Sequence, residues 1–110
     1  MVLTSWKTIQ NQWLFSAEAY VFFPGGLGTL DEFFEIVTLV QTNKIEPVPI
    51  ICFGSDFWNP LRELMTKELL GRGEIEPEDL ALYTITDDEN HVLEIIRNAP
   101  VHVGVQFEHN

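Results

Sequence analysis

Apolar positions along the chain change period several times, and each change marks an element. From Thr29 onward, Leu30, Phe33, Phe34, Val37 and Val40 recur at spacings of three and four. That stripe predicts a helix with one buried face, fading around residues 42–44. Residues 19–23 (AYVFF) are instead a short aromatic and β-branched run closed by Pro24-Gly25-Gly26, the pattern of a strand ending in a turn. The run does not alternate apolar with polar, so the strand is expected to be covered on both faces, as in a parallel sheet. Residues 48–53 repeat this signature, with Pro47 and Pro49 near the start, where a missing amide is tolerated. Residues 57–70 carry Leu61, Leu64, Met65 and Leu69 on one side of a further helix, and Gly71-Arg72-Gly73 stops it. A helical turn is expected over 76–80, a third strand over 82–86, and a last helix that begins at 87–89 and ends before Pro100. Near the amino terminus, Trp6, Ile9 and Trp13 fit an amphipathic helix over residues 4–16. Residues 101–107 alternate but contain Gly104, which suits an edge strand or a mobile tail.

Strands alternating with helices predict βα units, a parallel sheet and right-handed crossovers. The expected fold is α/β: a Rossmann-like three-layer α/β/α arrangement around a small, mainly parallel sheet. The chain has 110 residues, enough for one compact domain over 1–110. Three strands make a small sheet whose edges need covering, so a homo-oligomer, a dimer, is expected.

Charge narrows the partners. Six Lys and Arg oppose seventeen Asp and Glu, for a net charge of −11, which repels nucleic acid and anionic membrane. A small phosphorylated ligand remains compatible, because backbone amides bind phosphate without a cationic patch. The single cysteine, Cys52, lies in an apolar run and reads as a buried thiol. The amino terminus has no signal-peptide pattern and no stretch is long enough to span a bilayer, so a cytoplasmic location is expected. His91, His102 and His109 lack metal-ligand spacing, and neither metal nor cofactor is expected. Eight carboxylates and no Lys or Arg lie between Gly73 and Ile96, which reads as a solvated acidic face.

Candidate chemistry concentrates in Pro24-Gly-Gly-Leu-Gly-Thr-Leu-Asp-Glu32. A glycine-rich loop there joins a buried strand to a helix. Glycines permit positive φ and close approach of a ligand to the backbone. Free amides at the helix start, with the Thr29 hydroxyl, would cradle an anion at the carboxyl end of a strand, where open parallel sheets bind ligands. No Gly-Lys-Ser/Thr follows, so this is not a Walker loop, and the last glycine of a dinucleotide fingerprint is missing. The same glycines would also serve a plain tight turn. Glu32, expected on the first helical turn, could accept hydrogen bonds from a sugar, stabilise developing positive charge or activate water. It could equally do no more than complement the helix dipole.

The stretch 24–32 resembles the PGGxGTxxE signature of the Lonely Guy (LOG) family, nucleoside 5′-monophosphate phosphoribohydrolases often described as possible lysine decarboxylases. The similarity runs over roughly residues 16–100, through Thr38-Leu-Val-Gln41-Thr, the Pro-Ile-Ile strand, Gly54, Phe57-Trp58 and Thr86-Asp87-Asp88. The resemblance implies a Rossmann-like dimer that hydrolyses the N-glycosidic bond between ribose 5-phosphate and a purine. By the same resemblance Gly25, Gly26, Gly28 and Thr29 would bind the 5′-phosphate, and Glu32 would act on the ribose as the catalytic residue. The ligand would be an AMP-like nucleoside monophosphate or ribose 5-phosphate. Two departures stand out. Family chains carry an amino-terminal half that this chain is expected to lack. They also carry an Arg-Lys pair on the helix before the signature strand, where an ungapped count places Ile9 and Gln10. No Arg precedes Arg62. The alternative to a truncated or divergent enzyme is therefore a non-catalytic nucleotide- or phosphate-binding module, or a subunit fragment.

Overall fold

The computed structural model describes the backbone of residues 7–9 and 12–14 and the whole of residues 19–99. Elements in chain order are β1 (Lys7–Ile9), β2 (Gln12–Leu14), β3 (Tyr20–Phe22), α1 (Leu27–Gln41), β4 (Ile50–Phe53), α2 (Ser55–Leu64), α3 (Pro77–Leu80), β5 (Thr84–Thr86) and α4 (Glu89–Arg97). A π-helical stretch, Met65–Leu70, continues α2. The expected strand or tail over 101–107 lies outside the described residues.

Strands β3, β4 and β5 form one parallel sheet in that spatial order, with Phe22 opposite Cys52 and Cys52 opposite Ile85. Each is followed by a helix, as the alternation of periods requires. Side chains alternate across the sheet, so register sorts them into two faces. One face carries Tyr20, Phe22, Ile50 and Cys52, packed with Phe33, Val37 and Val40 of α1 and with Trp58 and Met65 of the helix after β4. Phe33 is at the centre of this core. Its ring lies 5.0 Å from Trp58, 5.1 Å from Tyr83 and 5.8 Å from Phe22. Burying a side chain of this size contributes about 1.5–3 kcal/mol, and edge-to-face ring pairs add to that. Val21 and Ile51 point to the opposite face and are buried as well. Thr86 shares that second face, and its hydroxyl lies 3.2 Å from Nδ1 of His91 in α4. With α1 and α2 on one side and α4 on the other, the architecture is the expected three-layer α/β Rossmann-like fold.

The amino-terminal expectation is overturned. Residues 7–9 and 12–14 pair as antiparallel strands, with Thr8 opposite Trp13, where a helix over 4–16 was expected. Thr8, Ile9 and Trp13 are β-branched or aromatic and favour strands, and two residues between the strands is the spacing of a tight hairpin. The stripe of Trp6, Ile9 and Trp13 was too sparse to outweigh this. Ile9 is therefore the last residue of β1 rather than part of a helix.

Burial pushes the Cys52 thiol up to about 12, only partly countered by Arg62, so the cysteine is a core residue as expected. Arg62 itself has its guanidinium 4.4 Å from the centre of the Tyr83 ring and donates from Nη2 to the carbonyls of Leu80 and Tyr83. It ties the end of α3 to the start of β5. Among the described residues, no helix is long and apolar enough to cross a membrane.

Candidate functional site

Three turns meet beyond the carboxyl ends of the strands. Gly54, which follows β4, has φ +107°, a conformation that side chains rarely adopt. An added Cβ there would lie 3.1 Å from the Pro24 ring, so the loop after β3 rests directly on this residue. The Gly54 amide donates to the Thr86 carbonyl at 3.0 Å, which draws in the turn after β5.

Each helix leaving this edge has unpaired amides in its first turn. At α2, Asp87 fills that need from across the edge, accepting from the Ser55 amide and the Ser55 hydroxyl, each at 2.7 Å. The Ser55 hydroxyl, and then its amide, hold the Asp87 carboxyl below the ordinary aspartate value. At α4, Asp88 caps its own helix by accepting from the Asn90 amide at 2.9 Å. At α1 the N-cap is Gly26, which offers no side chain, and the first turn holds no acidic residue.

The sequence-derived loop residues all fall at this uncapped start. Pro24 to Gly28 are exposed, and Thr29 is half-buried. The helix begins two residues earlier than its apolar stripe suggests, at Leu27, so Gly28 and Thr29 belong to its first turn. None of Gly25, Gly26 and Gly28 has positive φ, which corrects one expected reason for the glycines. At Gly25 the reason is space instead. A Cβ on Gly25 would collide with Thr29 Oγ1, whereas the room outside Gly26 and Gly28 is open. Glu32 is exposed on the second turn rather than the first. It lies three and four residues beyond Thr29 and Gly28, on their side of the helix, and helical side chains lean toward the amino end.

The flank that carries Glu32 can be assigned. Gln41 donates to Asp79 of α3 at 2.8 Å, so its flank of α1 looks toward the β5 side. Phe34 shares that flank, seven residues earlier, and Glu32 is about 200° away around the helix. Glu32 therefore overlooks β3, whose outer edge has no neighbour among the described residues.

Basic side chains described for residues 19–99 are Lys44, Arg62, Lys67, Arg72 and Arg97, and none lies in the turns at this edge. Lys44 and Arg97 follow or close α1 and α4 at their far ends, where cations suit the helix dipole. Two hollows lie elsewhere. One of about 500 Å³ runs beside β5 between Asn59, Arg62 and Thr84. Another of about 380 Å³ opens among Val40, Pro49 and Leu82 at the amino ends of the strands. Neither has the chemistry of the loop.

Sequence reading missed two features of this edge. One is the Ser55–Asp87 clamp, whose partners are 32 residues apart and are joined only by the parallel order of the strands. The other is the Phe23–Phe53 ring pair, with centroids 5.7 Å apart. No curated protein matches the chain in comparison. The model of the family described as possible lysine decarboxylase matches residues 8–96. That span includes the open loop, Glu32 and all three parallel strands, and the chain belongs to this family, the LOG or possible lysine decarboxylase proteins.

Proposed function

We propose that the protein is a LOG-like phosphoribohydrolase that releases a purine base and ribose 5-phosphate from a nucleoside 5′-monophosphate. One observation carries this reading: of the helices that start at the carboxyl edge, α1 alone among the described residues has no carboxylate on its first amides. In a chain of net charge −11, that is where a phosphate can be received. Gly25, Gly26, Gly28 and Thr29 would hold the phosphate. Glu32, one turn further, would face the ribose.

The reaction breaks the bond from C1′ to the base nitrogen, and its electron pair leaves with the base. Water adds to C1′ and gives up one proton, and the base gains one, so substrate and water balance base and ribose 5-phosphate. Glu32 would stabilise the oxocarbenium-like transition state and accept the proton from water. A homodimer is the proposed assembly, because it could cover the outer edge of β3.

A second reading has an observation of its own. With no basic side chain described at the edge, the loop could bind a nucleotide without cleaving it. Incubation with AMP separates the two. The enzyme reading expects adenine release above a protein-free control, reduced by about 10²–10⁴-fold in Glu32→Ala. Calorimetric binding of AMP without any release supports the binding module alone.

A further inference from the structure

We propose that Phe23 and Phe53 form the base subsite, on which the aromatic ring of a nucleotide stacks. The inference rests on the nucleotide reading above and adds a second binding element to it. Phe23 is the residue between the end of β3 and Pro24, and Phe53 is the last residue of β4, so both stand at the edge where the glycine loop opens. By alternation they lie on the sheet face away from the main core, since Phe22 and Cys52 pack into it. Their rings tilt 53° to one another. Phe53 backs Phe23, yet 39% of Phe23 remains exposed, while Phe22, Phe33 and Trp58 are fully buried.

An exposed aromatic beside a ligand loop has a chemical use here. Asp31, Glu32, Asp87 and Asp88 surround the edge, and none can welcome a second anion. A neutral, flat base can lie among them, and every base offers a face for stacking. Position agrees with this. Phe23 directly precedes Pro24, so the ring that would receive the base is joined in the chain to the loop that would receive the phosphate.

The test compares two ligands on one protein. Carbocyclic AMP, in which a methylene replaces the ring oxygen so that no oxocarbenium ion forms, carries phosphate, ring and base. Ribose 5-phosphate carries no base. Calorimetric titration of wild type, Phe23→Leu and Phe23→Trp is expected to give about tenfold weaker binding of carbocyclic AMP to the leucine variant. Ribose 5-phosphate affinity should be unchanged in all three, and Phe23→Trp should restore the wild-type affinity for carbocyclic AMP. If both ligands bind but Phe23→Leu leaves carbocyclic AMP within twofold, the base subsite is refuted and the phosphate reading stands. Equal losses for both ligands would refute it too, by showing that Phe23 only props the loop. Failure of wild type to bind either ligand overturns the nucleotide reading, and the subsite with it.

Discussion

The starts of α1 and α2 are neighbours at one sheet edge, follow equivalent strands, and have opposite electrostatics. Both have a glycine at the N-cap, Gly26 and Gly54. At α2 the first amide is closed by Asp87, and the left-handed glycine serves to let Pro24 pack against it. At α1, Gly26 is extended and Gly28 helical, the space outside both is open, and no carboxylate arrives. A helix start is thus a generic anion site, and what distinguishes the two is whether the chain supplies its own anion. Such a difference can be erased by a single residue.

The largest effect is expected from making α1 resemble its neighbours. Gly26→Asp places a carboxylate at an N-cap with room for it, which should stabilise the helix by about 0.5 kcal/mol while filling the amides. Binding of ribose 5-phosphate should fall by about a hundredfold or more, since the new carboxylate both occupies the donors and repels the phosphate. A more stable protein with unchanged affinity, by thermal melting and calorimetry, would place the phosphate elsewhere. Gly25→Ala should have a smaller effect. Its methyl displaces the Thr29 hydroxyl, and affinity is expected to drop about tenfold, the value of one hydrogen bond to a charged group. Retained affinity would remove Thr29 from the site.

The mildest effect sharpens the other side of the comparison. Because Ser55 holds the Asp87 carboxyl below its ordinary value, the clamp contributes stability at neutral pH. That contribution is complete above the unfolded aspartate value, about 3.9, and is lost as pH falls through the lower folded value. Asp87→Asn should melt below wild type at pH 7, and the gap should close on acidification below about 3.9. A gap independent of pH would mean that Asp87 acts through shape and not charge.

Much of this was legible in the residues. Gly25, Gly26, Gly28 and Thr29 announced an amide-rich bend because their types leave few other local uses, and the runs at 19–23 and 48–53 announced buried parallel strands. The family match over 8–96 agrees with what the motif implied. Glu32 was placed one turn too early, since Gly28 is a poor helix former and the helix takes it in regardless. Residues 7–9 and 12–14 were misread for a related reason. A sparse stripe fits more than one period, and strand pairing decided between them.

Local order, core membership and the location of the glycine-rich bend follow from residue types and spacing alone, because propensity, periodicity and glycine chemistry act over a few neighbours. Which helix start stays open, which flank Glu32 occupies and which phenylalanines remain half-exposed follow only from packing the strands side by side. Asp87 meets Ser55, and Phe23 meets Phe53, across 32 and 30 residues of chain. No short-range pattern encodes those distances. Parallel strand order sets them.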